Sequence, residues 1–261
     1  MKLKNIIFYF PNFSEGGVEQ TSINLCNYFT SHKINIDFIS YKPPKKRYFK
    51  KFKLINFKNY QNKNINWFLK NFFCLITLMK ILVNNDKKNT VVFALSNLNL
   101  CILLCKIFGY RIISRNSAPI DYFKFKPKII EYIKFYLKCL IYPLSDLVIS
   151  NSKSSATKLS NEMVFNCRIV SIPNPMSKTN NLKSNLKSNN ILYVGRLSNE
   201  KGVYQLIQAF KLFLKKNKKF KLNIVGTGGQ KTNIKNYILK NKLKNHVRLF
   251  NWTDNLKNFY L

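Results

Sequence analysis

The run ILYVGRLSNEKGV, residues 191–203, decides how this chain is read. An apolar stretch ends at Gly195, and after the turn the pattern VYQLIQAFKLFLKKN (203–217) recurs with helical spacing. Strand, glycine turn and amphipathic helix in that order open a βαβ unit. A turn needs only polarity and a glycine. This one adds Arg196 at once after the strand, and Lys201 and Gly202 where the helix is expected to start, with Glu200 placed to cap that start or to orient Lys201. Two cations near a helix N-terminus suit a diphosphate, because the helix dipole and the unpaired N–H groups already favour an anion there. A solvated charged turn fits the same residues.

Working outward, the same rhythm fills the chain. Residues 5–10, 35–41, 54–57, 90–95, 111–116, 146–151 and 168–174 read as strands, with a helix over 17–31 and a long apolar helix within 65–83. After the pause, 190–195, 220–226 and 246–250 read as strands, with helices over 203–217 and 233–244. Short apolar runs alternating with helices predict a mostly parallel sheet covered on both faces. The polar stretch MSKTNNLKSNLKSNN, residues 176–190, follows the rigid IPNP and has the composition of a linker. The expectation is two α/β domains: residues 1–175, a linker over 176–190, and 191–261 as a partial second domain of three strands. Three strands leave one flank of the first strand unpaired, so the second domain is expected to lack its last part.

Ligands of open α/β sheets sit beyond the carboxyl ends of the strands, and three loops lie there. PNFSEGGVEQ (11–20) carries Gly16 and Gly17 before a helix, which allows close approach of a ligand to the backbone and also fits an ordinary turn. The second loop holds Gly195, Arg196 and Lys201. The third, IVGTGGQ (224–230), places Gly226, Gly228 and Gly229 between strand and helix, part of a dinucleotide fingerprint without the acidic residue that would confirm it.

EGGVEQTSINLCNYF and YVGRLSNEKGVYQLIQAF resemble the retaining glycosyltransferases of family 4, as do SDLVISNSKSSATKL and SIPNPM at the places of a strand, a helix and the interdomain crossover. The resemblance implies the GT-B fold, two Rossmann-like domains facing a cleft, with the donor bound by the second. It implies transfer of a sugar from a UDP or GDP donor to a polysaccharide or lipid-linked oligosaccharide, as in the synthesis of lipopolysaccharide or capsule. By the same resemblance Arg196 and Lys201 hold the donor diphosphate and stabilise the charge on the leaving group. Gly16, Gly17, Gly195, Gly226 and Gly228 then belong to the donor site. The family's histidine near the transferred sugar is replaced here by Arg115 and Asn116, either of which has donors for a sugar hydroxyl. The family's pair of sugar- and ribose-binding glutamates falls beyond Leu261, so little or no turnover is expected of the isolated chain.

Composition limits the remaining classes. The chain carries a net charge of +35, with 45 Lys and Arg against 10 Asp and Glu. That attracts polyanions, but Lys, Asn, Ile and Phe are abundant together, as in a genome rich in A and T. No zinc-finger spacing or recognition element supports a specific nucleic-acid binder. A nucleotide-sugar epimerase on the same fold would need acid and base carboxylates, and few lie near the loops. There is no Asp-x-Asp pair for a metal, and two basic side chains can neutralise a diphosphate without one, so no cofactor and no metal are expected. The six cysteines, none in a C-x-x-C pair, read as buried reduced thiols. They point to the cytoplasm, and no secretory signal is visible. The basic, aromatic loop Lys42–Lys53 is the candidate contact with an anionic membrane at its inner face.

Overall fold

The computed structural model describes residues 3–11, 17–41, 53–56, 66–95, 98–117, 129–175 and 188–253, with 256 and 259. The chain divides into two compact units, Met1–Met176 and Ser177–Leu261. Residues 176–187 of the expected linker lie outside the described residues, and Asn190 already opens a strand.

The first unit is built on strands β1 (Asn5–Tyr9), β2 (Asn35–Ser40), β3 (Lys53–Asn56), β4 (Thr90–Ala94), β5 (Arg111–Asn116), β6 (Leu147–Ser150) and β7 (Ile169–Ser171). They form one sheet in the order β3-β2-β1-β4-β5-β6-β7, every pair parallel. The order reverses between β1 and β4, which is where such sheets take ligands at their carboxyl ends. The helices are α1 (Gly17–Ser31), α2 (Trp67–Asn84), α3 (Leu98–Ile107), α4 (Ile129–Ile141) and α5 (Lys153–Glu162).

Successive strand side chains point to opposite faces, and here both faces are apolar. Ile6, Phe8 and Phe10 pack with Ile23 and Cys26 of α1. Ile7 and Tyr9 pack with Cys74 and Leu78 of α2, Cys101 and Ile102 of α3, and Phe135 of α4. Phe8 stacks on Phe93 at 5.1 Å and on Phe38 at 6.0 Å between ring centroids, joining β1 to both its neighbours. All six cysteines are free thiols, five of them buried, as the apolar runs around them predict.

The long apolar helix resolves as α2, with Cys74, Leu78 and Leu82 buried and Phe68, Phe72 and Val83 exposed. Among the described residues, no helix is long and apolar enough to cross a membrane.

The second unit holds β8 (Asn190–Val194), β9 (Lys221–Val225) and β10 (Val247–Phe250), all parallel in the order β10-β9-β8. Helices α6 (Val203–Leu214) and α7 (Lys231–Lys240) supply its core. Val203, Ile207, Phe210 and Leu214 meet Ile234, Ile238, Leu222 and Ile224. The helix expected over 203–217 stops at Leu214, the last residue of that buried stripe, where the N–H groups of Lys215 and Lys216 bond three residues back, to Leu212 and Phe213.

Phe8 is fully buried while Ile107 is 77% exposed. Phe8→Ala is expected to cost about 3–5 kcal/mol of unfolding free energy, and Ile107→Ala to stay within about 0.5 kcal/mol, both read by urea unfolding followed by circular dichroism.

Candidate functional site

At the carboxyl edge of the second sheet, backbone hydrogen bonds join three strand ends. Gly195 donates its N–H to Val225 O (3.1 Å) and Gly226 to Phe250 O (3.1 Å), carrying the parallel ladder past the strands. Leu197 N–H then donates to Thr227 O, and Gln230 N–H to Leu197 O, both at 2.9 Å. Leu197 is fully buried in the core of the unit. Arg196 therefore stands between two fixed backbone positions, with its side chain 69% exposed. Tyr193 supports it from below, its hydroxyl donating to Arg196 O at 3.0 Å.

The glycines after β9 have a packing role that the sequence did not reveal. A Cβ on Gly226 would overlap the carbonyl oxygen of Gly195. A Cβ on Gly228 would overlap the carbonyl of Leu197 and come within 2.8 Å of its nitrogen. Both positions bring one loop's backbone against the other, whereas a Cβ on Gly229 meets nothing within 4 Å.

Lys201 and Glu200 are placed differently from the sequence expectation. Asn199–Lys201 forms a 3-10 turn, and Gly202 follows in the left-handed region at φ 63°. Gly202 is the N-cap, so α6 begins at Val203 and Lys201 ends the turn before it, exposed. Glu200 caps nothing; its carboxylate pairs with Arg196 at 3.8 Å. Its own backbone N–H first, then the Ser198 hydroxyl and, less, the charges of Arg196 and Lys201 hold that carboxylate below its usual range. An exposed pair of this length is weak, so Arg196 can exchange Glu200 for another anion at little cost.

In the first unit, Gly16 lies outside the described residues, as does Lys42–Phe52 of the basic loop; Lys53 opens β3. Gly17 is the first residue of α1, and a Cβ there would meet nothing within 4 Å, so packing among the described residues does not demand a glycine. Arg115 and Asn116 end β5, and each is only 3% exposed. Nη2 of Arg115 donates to Oδ1 of Asn151 (3.3 Å) and of Asn174 (2.5 Å). Oδ1 of Asn116 accepts from Nζ of Lys138 on α4 at 2.8 Å, while its Nδ2 is buried without a partner. Sequence reasoning missed Lys138, Asn151 and Asn174; only the Asn of IPNP had been noticed, as part of a rigid segment.

Lys138 is 5% exposed, its Nζ 5.1 Å from the Tyr142 ring centroid. Burial pushes its ammonium down to about 8. Among the described residues no three His, Cys, Asp or Glu side chains gather as metal ligands. Both histidines contact backbone carbonyls through Nδ1, His32 that of Tyr28 and His246 that of Phe220.

Comparison with known proteins gives this architecture a context. Residues 177–261 match the family model described as glycosyl transferases group 1. An uncharacterized glycosyltransferase of Haemophilus influenzae is 24% identical over 272 residues, spanning 99% of this chain and 72% of that protein. The structure of TarM superposes with a TM-score of 0.75 at 12% identity, over 99% of this chain and 78% of that one. Anabaena HepE in complex with UDP and glucose gives 0.69 at 14% identity, over 98% and 71%. The apo lipopolysaccharide outer core galactosyltransferase WaaB gives 0.65 at 17% identity, over 98% and 70%. The fold is GT-B, and the matches together support a transferase of the glycosyltransferase type.

Two measurements check the geometry. Gly226→Ala is expected to lower stability by about 1–3 kcal/mol through overpacking, and Gly229→Ala to change it by less than about 0.5 kcal/mol; equal effects in urea unfolding would contradict the loop contact. The depressed Lys138 ammonium makes the unfolded chain bind more protons between about 8 and the ordinary lysine value of 10.5, so this group's contribution to stability rises with pH across that window. The difference between wild type and Lys138→Met should shift in favour of wild type by on the order of 3 kcal/mol from pH 7 to pH 10.5. A pH-independent difference would contradict the assignment.

Proposed function

We propose that the protein is a retaining glycosyltransferase that moves a sugar from a UDP or GDP donor to a polysaccharide or lipid-linked oligosaccharide acceptor in cell-surface polysaccharide synthesis. The observation that carries this reading is Arg196: an exposed guanidinium on a backbone pinned on both sides to the end of β9 and its loop, loosely paired with Glu200, beside Lys201. The donor diphosphate displaces Glu200 from Arg196, and Lys201 takes a second phosphoryl oxygen. As the bond from the anomeric carbon to the diphosphate breaks, the electron pair leaves with the phosphate oxygen, and the two cations stabilise that charge. The acceptor hydroxyl forms the new bond on the same face of the sugar and gives up its proton. Gly195, Gly226 and Gly228 contribute by shaping the platform, and Gly16 and Gly17 are assigned to donor binding on the family resemblance alone. No metal is required, because the cations neutralise the diphosphate.

Solved structures of the same fold with UDP and glucose, or with UDP and a glycan, support a nucleotide-sugar donor. A peripheral place at the inner membrane face is part of the proposal. Besides Lys42–Lys53, it draws on the outer stripe of α4, where Ile130, Ile133, Leu137 and Leu140 are all exposed beside Lys134.

Calorimetric titration of the purified chain with UDP and GDP tests the donor site. One of the two is expected to bind with an affinity that falls at least about tenfold, or about 1.4 kcal/mol, in Arg196→Ala and in Lys201→Ala, and that ignores EDTA. Affinity indifferent to both substitutions, or abolished by EDTA, overturns the reading.

A further inference from the structure

A guanidinium stays protonated wherever this protein folds, so its burial demands an answering charge. Arg115 does not have one among the described residues. Its hydrogen-bond partners are the neutral amide oxygens of Asn151 and Asn174, which orient the group without neutralising it. Both bonds fall on Nη2, leaving Nε and Nη1 as further donors. Asn151 also ties Arg115 to the next turn, its Nδ2 donating to Ser117 O at 3.4 Å. The Ser117 hydroxyl oxygen is buried without a partner, and so is Nδ2 of Asn116, whose own oxygen is taken by Lys138. Among the described residues, the polar groups left over at the end of β5 are thus mainly N–H donors, beside the hydroxyls of Ser117 and of Ser150, the register partner of Asn116, which can donate or accept. A sugar hydroxyl both donates and accepts, and would find few acceptors here. An oxoanion only accepts.

We propose that Arg115, oriented by Asn151 and Asn174 and accompanied by Ser117, binds an oxoanion, a phosphate or a carboxylate, at the carboxyl end of β5. Within the glycosyltransferase reading, on which only the role of the ligand rests, that group belongs to the acceptor and marks it as an anionic glycan or a phosphorylated carrier. The place agrees with the edge at which such sheets bind ligands. Burial lowers the Arg115 guanidinium from its ordinary value without discharging it, as expected of a cation held ready for an anion.

The test uses the purified chain, with inorganic phosphate and acetate as separate probes at constant ionic strength balanced with chloride. Saturable binding of at least one probe is expected, weakened about tenfold or more in Arg115→Gln and partly kept in Arg115→Lys. Any phosphate bound at Arg196 and Lys201 should be lost in Arg196→Ala, which should leave the Arg115 component intact, and Arg115→Gln should leave UDP or GDP binding intact. Loss of one cation among 45 would hardly alter a diffuse attraction to the chain, so isotherms equal in wild type and Arg115→Gln overturn the proposal. Nucleotide binding lost together with phosphate binding in Arg115→Gln overturns it too, since Arg115 would then belong to the donor site. A readout independent of the variants' folding is modification of wild-type Arg115 by phenylglyoxal, mapped by mass spectrometry. Slowing by phosphate or acetate supports the site, and names the oxoanion, even if nucleotide binding ignores Arg196 and Lys201. An unchanged rate with both probes counts against it.

Discussion

The backbone of Leu197 donates to Thr227 and accepts from Gln230, and its side chain is fully buried. That pair of hydrogen bonds between two loops is possible because Gly226 and Gly228 present no Cβ to Gly195 and Leu197. The loops after β8 and β9 therefore form one rigid body at the sheet's edge. Arg196 inherits a fixed backbone from that body while its exposed side chain is only loosely paired with Glu200. A cation that must meet charge as it develops gains from such preorganisation, because the reorganisation has been completed during folding.

The end of β5 solves a related problem by different means. Arg196 is exposed and held through its backbone, whereas Arg115 is buried and held through its side chain by two asparagines. The first arrangement suits a ligand that is bound and released with changing charge. The second suits discrimination, since a buried guanidinium left without an anion penalises any ligand that fails to supply one.

Much of this was legible in the sequence. The bounds of α1 and β5 coincide with the expected 17–31 and 111–116, since apolar period and turn residues define them locally. The helix expected from Val203 does begin there, but Lys201 and Gly202, expected at its start, precede it: spacing does not reveal φ, and Gly202 caps the helix from the left-handed region after a separate turn. The glycines of IVGTGGQ read as part of a dinucleotide fingerprint, and the structure adds a packing role for Gly226 and Gly228 against a loop 29 to 31 positions earlier, which no local pattern reveals. The partners of Arg115 and Asn116 lie 36, 59 and 22 positions away, and no local pattern carries such pairings.

The composition, rich in Lys and Asn and poor in acids, has a structural consequence. With ten acids for 45 cations, carboxylates cannot partner most of the basic side chains. Asparagine takes their place: Oδ1 of Asn116 accepts from Lys138, that of Asn241 from Lys211 at 2.7 Å, that of Asn251 from Lys231, and those of Asn151 and Asn174 from Arg115. Lys106 with Asp146, at 2.8 Å, is a contrasting case in which a carboxylate both pairs with the cation and accepts the N–H of Ile112. An amide oxygen fixes the direction of a cation and leaves its charge standing. At Arg115 that choice keeps a buried cation oriented, and a cation so held at the edge of a sheet is predisposed to an anionic ligand.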